Sequence, residues 1–176
     1  MSDKNYRKGM DSFFDVLDDE DDDDSMANKY MTFIIGQETF GIEIQYIIEI
    51  IELQKITEVP DMPEYVKGVI NLRGKIIPVM DLRLRFKMPS KEFDDRTCII
   101  VTDIKDTPIG FIVDTVEEVA NISEENVSPP PQFKTVSGKE RYIKGLGKIG
   151  DNVKIILDVE KILFENEINS LKNISI

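Results

Sequence analysis

The sequence predicts a mainly β protein built as two small barrels related by pseudo-symmetry, and three observations lead there. From Tyr30 onward, short runs rich in isoleucine and valine are separated about every ten residues by glycine, proline and acid-rich turns, the texture of many short strands. The chain also repeats itself. At an offset of 77, Val66-Lys67-Gly68 matches Ile143-Lys144-Gly145, and Ile77-Pro78-Val79-Met80-Asp81-Leu82 matches Lys154-Ile155-Ile156-Leu157-Asp158-Val159. At an offset of 69, Phe40-Gly41-Ile42 falls on Ile109-Gly110-Phe111, Glu49-Ile50 on Glu118-Val119, and Pro60 on Pro129. The halves therefore run A, B, A′, B′. Two copies of a five-strand unit are too few for a solenoid, but they suffice for two small barrels. The order permits interleaving, with B and A′ building one barrel while A and B′ close the other. Finally, 176 residues of which 41% are hydrophobic are enough to bury a core.

The elements follow in order. Residues 1–29 hold ten acids against Lys4, Arg7, Lys8 and Lys29, so this stretch alone carries -6 of the chain's net charge of -12. A block of like charge repels itself and buries little, which predicts a disordered acidic tail over 1–29. Within it Tyr6, Met10, Phe13 or Phe14, and Leu17 recur at helical spacing, so the stretch is either a solubilising tail or an amphipathic segment that folds against a partner's groove. Thr32 to Ile35 and Phe40 to Ile44 flank Gly36-Gln37-Glu38-Thr39 as a hairpin does. Ile44 to Leu53 carries both alternating and helical spacing, and reads as a helical turn followed by a strand.

Val66 to Ile70 and Lys75 to Leu82 are strands around the turn Asn71-Leu72-Arg73-Gly74, and Pro78 predicts an edge or a bulge. Thr97 to Val101, Ile109 to Val113, Val116 to Ala120 and Val153 to Val159 continue the series, and Ile162, Leu163, Leu171 and Ile174 suit a short terminal helix. The expected organisation is a tail over 1–29, a core domain of two barrel subdomains over 30–164, and a C-terminal tail or short helix over 165–176.

Several function classes drop out. Net charge of this sign argues against nucleic acid and anionic lipid as partners. No apolar run approaches the length of a membrane span, and Met1 to Met10 is not followed by an apolar signal region. The absence of histidine removes the usual general base and the commonest metal ligand. A single cysteine, Cys98, suits a reducing cytoplasm and reads as a small packing residue. Residues 18–24 lack the ligand spacing and mid-loop glycine of an EF-hand, and Gly145, Gly147 and Gly150 follow no phosphate-loop pattern. No cofactor or metal is expected. An acid hydrolase using Asp81 and Asp158 is the enzyme alternative, since one carboxylate from each half is how a shared-proton dyad is built. Neither aspartate is followed by the small residues such loops need, so the preferred reading has each one ending a strand and holding turn amides.

The string Lys67-Gly68-Val69-Ile70-Asn71-Leu72-Arg73-Gly74-Lys75-Ile76-Ile77-Pro78-Val79-Met80-Asp81-Leu82-Arg83 resembles the signature of the CheW family of chemotaxis coupling proteins. The likeness runs from Thr32 to Leu163 through Phe40-Gly41-Ile42, Val59-Pro60, Ile112-Val113-Asp114 and Gly145-Leu146-Gly147. It implies two five-stranded SH3-like β-barrels without enzymatic activity. It also implies a cytoplasmic adaptor, recruited to membrane receptor arrays, that couples methyl-accepting chemotaxis receptors to the histidine kinase CheA. A CheW-like regulator serving a non-chemotactic array is the alternative binding module.

Carried over by position, the receptor's helical tip would dock in a groove between the barrels formed by Ile44, Ile47, Glu49, Arg73, Cys98 and Val119, with Gly68, Asn71 and Gly74 shaping the motif turn. The regulatory domain of the kinase is expected at the barrel ends. Independently of the likeness, Arg73 sits at a turn tip, where its planar five-donor guanidinium projects toward solvent and suits a partner's carboxylates and carbonyls.

Overall fold

The computed structural model describes residues 9–15, 26–130 and 142–162. Among these described residues eleven strands form two sheets: β1 (Lys29–Ile35), β2 (Glu38–Glu43), β3 (Ile47–Glu52), β4 (Val66–Leu72), β5 (Lys75–Asp81), β6 (Cys98–Ile104), β7 (Thr107–Val113), β8 (Thr115–Asn121), β9 (Val127–Ser128), β10 (Ile143–Ile149) and β11 (Asn152–Leu157). Residues 9–15 are helical, here α1. Two one-turn helices, α2 (Leu82–Arg85) and α3 (Val159–Ile162), follow β5 and β11.

The repeat seen in sequence is the repeat of the fold. Strands β1 and β6 both span seven residues and begin at Lys29 and Cys98, 69 apart, while β4 and β10 begin at Val66 and Ile143, 77 apart. α2 and α3 keep that second offset. The strand order is β3-β6-β7-β5-β4 in one sheet and β8-β1-β2-β11-β10-β9 in the other. The barrels therefore interleave as B with A′ and A with B′, with one further exchange: β3 leaves its own half to pair with β6, and β8 leaves its half to pair with β1. The second sheet has six strands rather than five, because two residues of β9 pair with β10. The counterpart of β9 in the other sheet is only a bridge, Thr57 to Val69.

Local chemistry fixes the register. The β1–β2 and β4–β5 turns contain two residues each, not the four the sequence suggested, as the pairs Ile35 with Glu38 and Leu72 with Lys75 show. Arg73 and Gly74 adopt φ of 53° and 84°, the left-handed pair that a tight type I′ hairpin needs, and Asn71 Oδ1 accepts the Gly74 N–H at 2.9 Å. Pro78 pairs with Val69 one residue before the parallel pairing with β7 begins at Val79, so the donor it lacks is not missed by a second neighbour. The bulge lies instead between Val66 and Gly68, with its twin between Ile143 and Gly145. Ile44–Tyr46 form the helical turn and Ile47–Glu52 the strand expected there.

The largest apolar cluster spans both barrels and gathers Phe33, Ile42, Ile44, Phe111, Val116 and Leu157. A ladder of stacked rings, Phe33 on Phe40, Phe40 on Phe86 and Phe86 on Tyr142, runs with centroid separations of 5.9, 5.4 and 4.9 Å. Arg85 lies 5.0 Å from the Tyr65 ring centre and donates to the Ile162 carbonyl at 2.8 Å, so α2 of one barrel is latched to α3 of the other.

A further expectation is corrected. Residues 9–15, assigned to a disordered tail, form a helix, and Phe13 in it is 1% exposed inside the main cluster. The helically spaced Met10 and Phe13 find a hydrophobic surface on their own chain rather than on a partner. The acid run over 18–24 and the positions Tyr6, Leu17, Leu163, Leu171 and Ile174 lie outside the described residues.

Candidate functional site

Two of the candidate residues lie where the chain passes from one sheet to the other. Ile44 and Ile47 bracket the crossover from β2 to β3, and Asp114 sits at the matching crossover from β7 to β8. That second crossover is pinned from three sides. Asp114 takes two hydrogen bonds from the Arg83 guanidinium at 2.6 and 2.8 Å and one from the Gly36 N–H at 2.8 Å, and its own N–H donates to the Ile34 carbonyl at 3.1 Å. Burial works against the charge of Asp114, but Arg83 and the Gly36 amide outweigh it and hold its carboxyl below the usual range. Neither Arg83 nor Asp114 was singled out from sequence as a positioning residue, although both lie within the strings that carried the family likeness.

Arg73 and Glu49 meet. The guanidinium of Arg73 grips the Glu49 carboxylate with two bonds of 2.5 and 3.0 Å, while its side chain stays 74% exposed and that of Glu49 is 23% exposed. Glu49 belongs to β3 and Arg73 to the turn after β4, the two opposite edges of the five-stranded sheet, so the contact joins the sheet's margins into a barrel. The hydrogen bond to Glu49 raises the pKa of Arg73 further, and the charge is permanent. The fork therefore keeps only part of its donor capacity free for anything that approaches.

The other candidates are placed differently. Ile44, Ile47 and Cys98 are buried members of the main cluster, so an incoming helix does not meet them on the open surface. Burial pushes the Cys98 thiol up to about 12, and its Sγ donates to the Arg96 carbonyl at 3.0 Å, the chemistry of packing rather than of a nucleophile. Val119 is partly buried on β8, an edge strand, and its N–H donates to Ser12 Oγ of α1 at 2.9 Å. Ser12 was not singled out from sequence, whereas Phe13 was noted there as part of a helically spaced apolar stripe.

Gly68 has φ of +145°, and a Cβ there would lie 2.1 Å from the Thr57 carbonyl oxygen, so the motif glycine is fixed by a close backbone crossing. Asp81 and Asp158 end equivalent strands in different sheets and accept from the Arg83 N–H at 2.9 Å and the Glu160 N–H at 3.2 Å, which is the turn-holding role read from sequence. Among the described residues no group of three His, Cys, Asp or Glu is arranged to hold a metal ion, and no helix is long and apolar enough to cross a membrane.

A family profile described as CheW-like domain matches residues 29–167. The chemotaxis protein CheW of Klebsiella aerogenes is 32% identical over 152 residues, covering 86% of this chain and 91% of that protein. That of Thermotoga maritima is 37% identical over 138 residues, covering 77% and 87%. Among solved structures, the scaffolding protein TtCheW from Thermoanaerobacter tengcongensis superposes with a TM-score of 0.72 at 34% identity, covering 80% of this chain and 94% of that one.

Proposed function

The chain belongs to the CheW-like family of chemotaxis scaffold proteins, and from that premise we propose that it is a non-enzymatic adaptor holding the helical tip of methyl-accepting receptors and the regulatory domain of the histidine kinase CheA in one array. Its place of action is the cytoplasmic face of the membrane, to which receptors recruit it. The observation that carries this reading is the Arg73–Glu49 pair, which presents an exposed, oriented guanidinium where the two edges of the five-stranded sheet meet. A helix laid across such a face gains from apolar contact and takes its direction from a few fixed charges. Catalysis is disfavoured by the same chemistry: the buried thiol is protonated, and the two repeated aspartates are engaged with the amides of their own turns.

The test is a titration of the protein with a receptor-tip hairpin fragment, followed by co-sedimentation with fragment and kinase together. Arg73→Glu should weaken the hairpin by tenfold or more, because truncated interface arginines are frequent hot spots. Its melting curve should stay close to that of the wild type, since the side chain lies at an exposed turn. Exchanging both charges, Arg73→Glu with Glu49→Arg, restores the seam of the barrel but not a direct contact to receptor. Wild-type affinity in the folded single variant would sink the assignment, and full recovery in the double variant would make the pair a structural clip.

A further inference from the structure

We propose that α1 is an internal occupant of the receptor face, seated on the β8 edge, and that a receptor helix binds by displacing it; this rests on the adaptor reading above. The seat is specific. An edge strand presents N–H groups that nothing in its own sheet can take, and the Val119 N–H is taken by Ser12 Oγ at 2.9 Å. One turn earlier, Gly9 lies so close to β8 that a Cβ there would come within 2.7 Å of Val116 Cγ2 and 3.1 Å of its Cβ. On the same face Phe13 enters the cluster that contains Ile44, Ile47 and Cys98, and Met10 packs against it. Of the groove candidates it is Val119 that α1 engages directly, and the Val119 N–H cannot serve two helices at once.

The seat is also displaceable. Residues 1–29 carry -6 and the rest of the chain carries the other half of -12, so like charge opposes docking and the apolar contacts work against it. Only 13 residues, 16–28, separate α1 from β1 in the chain, so a released helix stays covalently close to its seat and release is readily reversed. A receptor then binds only the fraction of molecules whose face is open, and its apparent dissociation constant rises in proportion.

Two full-length variants test this. Phe13→Ser removes the apolar anchor, whereas Gly9→Val keeps the anchor and replaces a helix-weakening residue by one that collides with Val116. Amide exchange at Val119 is read without receptor, and affinity is read by titration with the receptor-tip hairpin. In both variants Val119 should exchange faster, the melting temperature of the barrels should move by no more than a few degrees, and the hairpin should bind about tenfold tighter than to wild type. Unchanged protection at Val119 would overturn the seat. Faster exchange with equal or weaker hairpin affinity would overturn the competition while leaving the adaptor reading intact. No hairpin binding by variant or wild type would sink the adaptor reading, and the competition with it.

Discussion

Replacing three glycines by alanine separates backbone strain from steric collision, because the fold presents each in a different combination. Gly74 has φ of +84° with nothing within 4 Å of a built Cβ, so Gly74→Ala meets strain alone, roughly 1–2 kcal/mol for an L-residue in the left-handed region. At Gly145 a Cβ would lie 2.7 Å from the Ser128 carbonyl oxygen and 2.8 Å from Val127 Cγ1, so alanine there must push aside β9. β9 is two residues long and pairs at Leu146 and Gly147, and the loss is limited to about 1 kcal/mol for each hydrogen bond given up.

Gly68 combines both effects. Its φ is +145°, which costs an L-residue roughly 1–3 kcal/mol. A Cβ 2.1 Å from the Thr57 oxygen forces Thr57 away from Val69, with which it exchanges bonds of 2.8 and 2.9 Å. Two such bonds add about 2 kcal/mol, so Gly68→Ala should cost roughly 3–5 kcal/mol in total. That is about 10 °C in melting temperature, against a few degrees for Gly74→Ala. Urea unfolding followed by circular dichroism reads all three in one buffer. The expected order of damage puts Gly68 well ahead of the other two. Equal losses at Gly68 and Gly74, within about 0.5 kcal/mol, would show that Thr57 moves at no cost and that the motif glycine is not fixed by the crossing.

Two further outcomes follow from titratable groups. Asp81 is 2% exposed with Oδ2 lacking a hydrogen-bond partner, and burial raises its pKa despite the Arg83 amide and the Lys67 charge. A carboxyl with a raised folded-state pKa favours folding while protonated and loses that contribution as pH rises through the folded value, so Asp81→Asn should be neutral or stabilising by up to about 1 kcal/mol at pH 7. The advantage should shrink on acidification toward the unfolded aspartate value near 3.9, and a pH-independent difference in unfolding free energy would contradict it. Cys98, with its thiol near 12, should react with a disulfide reagent at pH 8 about a thousandfold more slowly in the folded protein than in urea. Labelling at comparable rates in both states would mean that its strand opens readily.

Much of the fold was legible because its determinants are local or periodic. Alternating apolar residues and the turn pairs at Gly36 and Gly74 mark strands wherever they occur, and the 69- and 77-residue offsets set β1 on β6 and β4 on β10 without any knowledge of contacts. The exchange of β3 and β8 between barrels was not legible. It depends on which edge a strand meets after a crossover, and at the β7–β8 crossover Asp114, Arg83 and the Gly36 amide come together from three distant segments.

Which candidate positions are exposed was not legible in the sequence, since Ile44, Ile47 and Cys98 read the same whether they line a groove or fill a core. The helix over 9–15 illustrates the limit most clearly. Averaged over 1–29 the composition is that of a chain too charged to fold, yet one phenylalanine and one serine suffice once β8 offers an apolar surface and an unpaired amide. The pseudo-symmetric partner of β8 sharpens the point. β3 is likewise a sheet edge, and it carries Ile48 48% exposed where the equivalent position of β8 is Glu117. The repeat alone would have favoured β3 as the edge to be covered; among the described residues it is β8 that receives a helix, one that brings a glycine, a hydroxyl and a ring in the required order.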